Sequence, residues 1–129
     1  MVDRARLRGG ELNAALTEAL VRIQTEHLGR GPRTASTFYR HNVIVTLMHD
    51  VLTKAEKVLA QKGRGGEVTE VRGLFRQQME ADFRAVVEQL TGQKVLALLG
   101  ASHIEPDVAA TIFPRRRALT KPCGAGPPC

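Results

Sequence analysis

Between Val68 and Leu90 the apolar residues Val68, Val71, Phe75, Met79, Phe83, Val86 and Leu90 recur at steps of three and four without a break. That spacing lines them along one face of an α-helix, which turns once in about 3.6 residues. The helix runs to Thr91, with Gly92 placed to cap it. At about 1.5 Å per residue its roughly 25 residues extend nearly 40 Å, whereas a strand of five or six residues covers about half as much. The overhang needs a surface beyond a minimal monomer core. The expectation is a homodimer in which Phe75, Met79 and Phe83 pack against a second copy of the chain, because a monomer exposing them would carry a contiguous apolar patch. The competing arrangement covers the whole stripe with the chain's own shorter helices.

Those shorter helices are legible too. Leu12, Leu16, Leu20 and Ile23 define an amphipathic helix from Glu11 to about Leu28, stopped by Gly29-Arg30-Gly31-Pro32. Thr53-Lys54-Ala55-Glu56 matches a capping box, in which the Thr53 hydroxyl and the Glu56 carboxylate each satisfy a free amide at a helix start; a short helix follows to about Gln61. Gly63-Arg64-Gly65-Gly66 separates it from the long helix.

Thr34–Tyr39 and Val43–Met48 read as a hairpin turning at Arg40-His41-Asn42. In the second strand Val43, Val45 and Leu47 alternate with Ile44, Thr46 and Met48, so neither face is plainly polar and both can be covered. Lys94–Leu99 reads as a buried strand and Val108–Phe113 as the last strand, with residues 100–107 between them as a loop. The order α-β-β-α-α-β-β predicts an α+β fold: one two-layer domain over residues 11–113, a mostly antiparallel sheet with its helices on one face.

The charge lies outside that domain. Residues 1–10 carry Arg4, Arg6 and Arg8 against Asp3, and residues 115–129 carry Arg115, Arg116, Arg117 and Lys121 with no acid. Of 19 basic and 13 acidic groups, 12 of each remain between, so the formal charge of +6 is terminal. Residues 1–10 are expected to be a disordered basic arm and residues 114–129 a disordered tail rich in Pro, Gly and Cys. Cys123 and Cys129 both lie in that tail, where a disulfide would staple only the tail to itself, and are expected to be reduced. No stretch approaches the roughly 20 apolar residues that span a bilayer, and no apolar signal-peptide core follows Met1, so a cytoplasmic location is expected.

Few residues suggest chemistry. His41 and His49 flank one strand and stand too far apart along it to share an ion, so no metal is expected. His103-Ile104-Glu105-Pro106-Asp107 is the densest ionisable run in the expected loop; a His beside two carboxylates is an acid–base arrangement, but Pro106 and Asp107 equally suit a turn into the last strand. No nucleophile or cofactor motif accompanies it, and neither glycine-rich segment has the Lys-Ser or Lys-Thr of a phosphate-binding loop. No catalytic residue and no cofactor is therefore expected.

The succession Leu12-Asn13-Ala14-Ala15, Gly29-Arg30-Gly31-Pro32, Leu52-Thr53-Lys54-Ala55-Glu56, Gly63-Arg64-Gly65, Val86 through Val95 and His103-Ile104-Glu105-Pro106-Asp107-Val108 resembles the small bacterial MpsC-like family. The resemblance covers about residues 11–113, and Gly29, Gly31, Pro32, Thr53, Glu56, Thr91, Gly92, His103, Pro106 and Asp107 are the motif positions it singles out. It departs at Ala101-Ser102, where the family pattern has Ser-Asp before the His. The resemblance implies an accessory component of a sodium-translocating, membrane-potential-generating system associated with inorganic-carbon supply, and no active site.

The leading expectation is thus a non-enzymatic interaction domain serving an integral-membrane transport partner from the inner face of the membrane. The alternative is an anion-binding module whose Arg-rich ends hold nucleic acid or acidic lipid; the neutral middle and the scarcity of aromatic residues, 4% with no Trp, argue against nucleic acid. A third possibility is a small hydrolase or lyase using His103, Glu105 and Asp107.

Overall fold

The computed structural model describes residues 7–115. Residues 1–6 of the expected arm and 116–129 of the expected tail, with Cys123 and Cys129, lie outside the described residues; Gly9 and Gly10, expected in the arm, instead open α1. Helix α1 spans Gly9–Leu28, strands β1 and β2 span Thr34–Arg40 and Val43–His49, and helices α2 and α3 span Lys54–Leu59 and Gly65–Thr91. Strands β3 and β4 span Leu99–His103 and Val108–Pro114. The four strands form one antiparallel sheet in the order β1-β2-β4-β3. The fold is α+β in the α-β-β-α-α-β-β order anticipated from the sequence.

Both long helices cover the same face. Leu12, Leu16 and Leu20 of α1 and Met79, Phe83 and Val87 of α3 bury against Ile44 and Met48 of β2 and Phe113 of β4. The rings of Phe83 and Phe113 meet edge to face with centroids 6.4 Å apart, a favourable quadrupole arrangement. At the centre the hydroxyls of Thr17, Thr37 and Thr46 form a chain, Thr17 donating to Thr37 at 2.6 Å and Thr37 lying 3.1 Å from Thr46, so these three hydroxyls find partners in one another.

The interface expected on α3 is corrected here at two of its three residues. Met79 and Phe83 are 3% and 2% exposed within one chain, leaving only Phe75 of the three at the surface. The first turns of α3 bury Val68 and Arg72 within one chain, Arg72 by bonding the Val51 carbonyl. The helix also begins earlier than expected, at Gly65, since only Gly63, with φ 82°, takes the left-handed conformation that breaks the path from α2.

A second correction concerns β3. Residues 94–98 are not a strand; β3 starts at Leu99 and occupies what the sequence suggested was loop. Side chains of α3 take the hydrogen bonds that a ladder would have used. The Glu88 carboxylate accepts the Val95 amide at 2.8 Å and Arg84 donates to the Val95 carbonyl at 2.6 Å, leaving Val95 only an isolated bridge to Arg115. Arg115 itself, assigned to the tail by its charge, is 2% exposed. Its guanidinium lies 4.2 Å from the centre of the Tyr39 ring and donates to the His41 carbonyl, and its amide donates to Asn42 at 2.9 Å, so it closes the β1–β2 hairpin.

Candidate functional site

Three of the motif residues, Thr53, Glu56 and Asp107, meet at the loop between β2 and α2. Asp50, with φ 63°, turns the chain out of the sheet, and the amides that follow need acceptors. Asp107, at the entry to β4, supplies them: its carboxylate accepts from Val51 at 3.1 Å and Leu52 at 3.0 Å, and its carbonyl accepts from Asp50 at 2.9 Å. On the other side two arginines hold the loop's carbonyls. Arg30 donates to Asp50 at 3.0 Å and also to Leu52, while Arg72 donates to Val51 at 2.7 Å.

Thr53 and Glu56 form the capping box expected of them. The Glu56 amide donates to the Thr53 hydroxyl at 3.2 Å and the Thr53 amide to the Glu56 carboxylate at 2.8 Å. Glu56 has a further duty, because Arg72 of α3 grips the same carboxylate with two bonds. Burial pushes the Glu56 carboxyl upward, but the bonds from Arg72 and Thr53 outweigh it and hold the group below the usual carboxylate range. Asp50 is likewise lowered, chiefly by its bond to Lys57 at 3.1 Å.

Beside this junction lies an open cleft of about 480 Å³ between α2 and the β3–β4 turn, lined by Leu52, Lys57, Gln61, Ile104, Glu105 and Pro106 among others. Glu105 and Asp107 line it and His103 does not, and the three side chains are engaged separately. The His103 ring bonds the Pro106 carbonyl at 2.8 Å, both oxygens of Asp107 are taken by amides of the 50–53 loop, and Glu105 faces the cleft. Among the described residues no group of three or more His, Cys, Asp and Glu is placed to hold a metal ion.

The remaining motif residues are helix stops. Gly29 and Gly92 adopt φ 84° and 73° and return their amides to Thr25 and Glu88, each at 2.8 Å. A Cβ at Gly31 would come within 2.5 Å of the Thr25 hydroxyl. Pro32 follows in the connection to β1. Thr91 bonds the Val87 carbonyl and accepts from the Gln93 amide.

Arg30, Arg72, Arg76 and Arg84, which organise these contacts, were not among the residues the sequence singled out. One signal existed: Arg72 falls four residues after Val68, on the apolar stripe, where a charged group must be paired to be buried. Arg76 lies over the sheet near Gly100, donating to the Ser102 hydroxyl at 2.9 Å, and its burial and the nearby Arg72 charge lower its pKa.

Residues 8–115 match the model of a family described as the Na+-translocating membrane potential-generating system (MpsC). No curated protein and no solved structure matches the chain. No helix among the described residues is long and apolar enough to cross a membrane.

Proposed function

Because the chain belongs to the MpsC family, we propose that it is a non-enzymatic, homodimeric accessory component of a cation-translocating membrane system, held at the cytoplasmic face by an integral-membrane partner. The family match over residues 8–115 carries this proposal. The side-chain geometry supports its non-enzymatic part: Asp107, Glu56 and Arg72, the most densely bonded ionisable groups of the motif region, all serve main-chain amides and carbonyls or each other. On the outer face of α3, Val71, Leu74 and Phe75 are 40%, 55% and 37% exposed at steps of three and one, a helix face suited to an apolar partner surface.

The test is co-purification from detergent-solubilised membranes of cells co-expressing the chain and its membrane partner. Retention of the wild-type chain, and its loss with Leu74→Glu, is the expected result. Recovery of the free chain alone would count against the membrane role.

A further inference from the structure

The helices cover one face of the sheet, and the other face is apolar. From the register, Phe38, Val45, Ile112 and Leu99 stand side by side across all four strands. The next row toward the opposite end of the strands is Ser36, Leu47, Ala110 and Ala101. Phe38 and Leu99 are 52% and 53% exposed, and neither row holds a charge. A water-facing antiparallel sheet normally alternates apolar inward with polar outward. Here the outward positions Val43, Val45 and Leu47 of β2 and Val108, Ala110 and Ile112 of β4 are apolar as well.

The two central rows differ in height. Phe38, Val45, Ile112 and Leu99 make a ridge, and Ser36, Ala110 and Ala101 make most of a trough beside it. A two-fold axis parallel to the rows and midway between them turns a second copy so that each ridge enters the other's trough. Phe38 of one copy then stands over Ser36 of the other, Ile112 over Ala110 and Leu99 over Ala101, a large side chain meeting a small one each time; Val45 meets Leu47. At the rims the same operation sets Arg40 against Thr34 and Val43 against His49, so no like charges face each other.

We infer that the open sheet face is the homodimer interface, two copies packing sheet on sheet with ridge in trough. The packing is isologous, as a closed dimer requires, and it joins the sheets in the aligned manner of a β-sandwich. Area is sufficient. Strands about 4.8 Å apart and rising about 3.4 Å per residue give a four-stranded face of roughly 400 Å² in projection. The accessible area of a face studded with side chains exceeds its projection, so two copies together clear the roughly 1,000 Å² of a biological interface. This inference locates the homodimer proposed above without depending on the membrane role.

Sedimentation equilibrium of the full chain tests it. The wild type should give twice the 14.1 kDa chain mass at micromolar concentration, and the double variant Phe38→Glu/Leu99→Glu should give one chain mass with an unchanged circular dichroism spectrum. Both residues are already more than half exposed in one chain, so the fold tolerates the change. A wild-type monomer at about 100 μM, far above the dissociation constant of a stable dimer, would overturn the dimer itself. A dimer that survives Phe38→Glu/Leu99→Glu but dissociates on Phe75→Glu would overturn the sheet face and return the interface to α3. In a Cys123→Ser/Cys129→Ser background, treating an equal mixture of Leu99→Cys and Ala101→Cys chains with a short bifunctional maleimide, which reaches across the roughly 10 Å between facing sheets where a disulfide does not, should join unlike chains in more than the twofold excess of random pairing. Unlike pairs at no more than twice the yield of either like pair, the ratio that random pairing of an equal mixture gives, would overturn the two-fold geometry.

Discussion

Arg72 and Glu56 meet as a fork, Nε donating to Oε2 at 3.0 Å and Nη2 to Oε1 at 2.7 Å, while Nη2 also reaches the Val51 carbonyl at 2.7 Å. One guanidinium thereby ties α3 to the start of α2 and to the loop that leaves β2. With side chains only 5% and 13% exposed, breaking the pair strands a charge away from water. Arg72→Ala is expected to cost about 3 kcal/mol or more in urea denaturation, the range for removing one partner of a buried pair. A loss below about 1 kcal/mol would mean that the pair is solvated in solution.

The same pair sets an acid limit. Glu56 titrates below its ordinary value of 4.5 in the folded chain. A lowered folded pKa adds stability that is present above the unfolded pKa and is lost as pH falls through the folded one. Wild-type stability should therefore drop as pH falls from about 4.5, and Glu56→Gln should be less stable at neutral pH with a flatter acid limb. Parallel limbs for the two proteins, measured by denaturant midpoint against pH, would remove Glu56 from the account.

Asp107 is expected to behave as a structural acceptor. Asp107→Ala leaves the Val51 and Leu52 amides without their partners and should cost about 2–3 kcal/mol, since a stranded buried donor costs about 1–3 kcal/mol. Asp107→Asn keeps one acceptor oxygen and should recover part of that loss. Thermal unfolding of the two variants decides it: equal destabilisation would contradict a role read from bond count.

Two glycines should respond oppositely. A Cβ at Gly100 would come within 2.5 Å of Arg76 Cδ and Nε and 3.1 Å of the Ala110 carbonyl, whereas one at Gly66, inside α3, meets nothing within 4 Å. Gly100→Val should destabilise by about 1–3 kcal/mol through overpacking. Gly66→Ala should stabilise by about 0.4–1 kcal/mol by restricting the unfolded chain. Denaturant midpoints that move in the same direction for both would contradict the packing described around β3.

Local signals in the sequence located what local physics decides. The helix from Val68 to Leu90, the Thr53–Glu56 box and the glycine stops at Gly29 and Gly92 each depend on residues within a turn or two, and each stands where its pattern put it, although Val71 and Phe75 of the stripe are exposed and Arg72 and Val87 are buried in their place. Contacts between distant segments left little trace. Nothing near Asp107 signals that its acceptors serve Val51 and Leu52, 56 and 55 residues away. Lys94–Leu98 has the composition of a strand, but Glu88 and Arg84, on the preceding helix, claim the backbone of Val95. Arg115 looked like tail because charge was counted by position in the chain, and only the fold brings Tyr39 and the hairpin carbonyl to it.

The strand order β1-β2-β4-β3 also has a temporal consequence. As the chain leaves the ribosome, β2 finds one neighbour at once across a tight turn, while its other edge waits until β4 has emerged, with two helices made in the meantime. Throughout that interval the most apolar strand presents unpaired amides and carbonyls beside Val43, Val45 and Leu47, the kind of edge on which nascent chains aggregate. Slow decoding after α3 would prolong this exposure, so yield in the cell would depend on the pace of translation through the last two strands as well as on the stability of the finished fold.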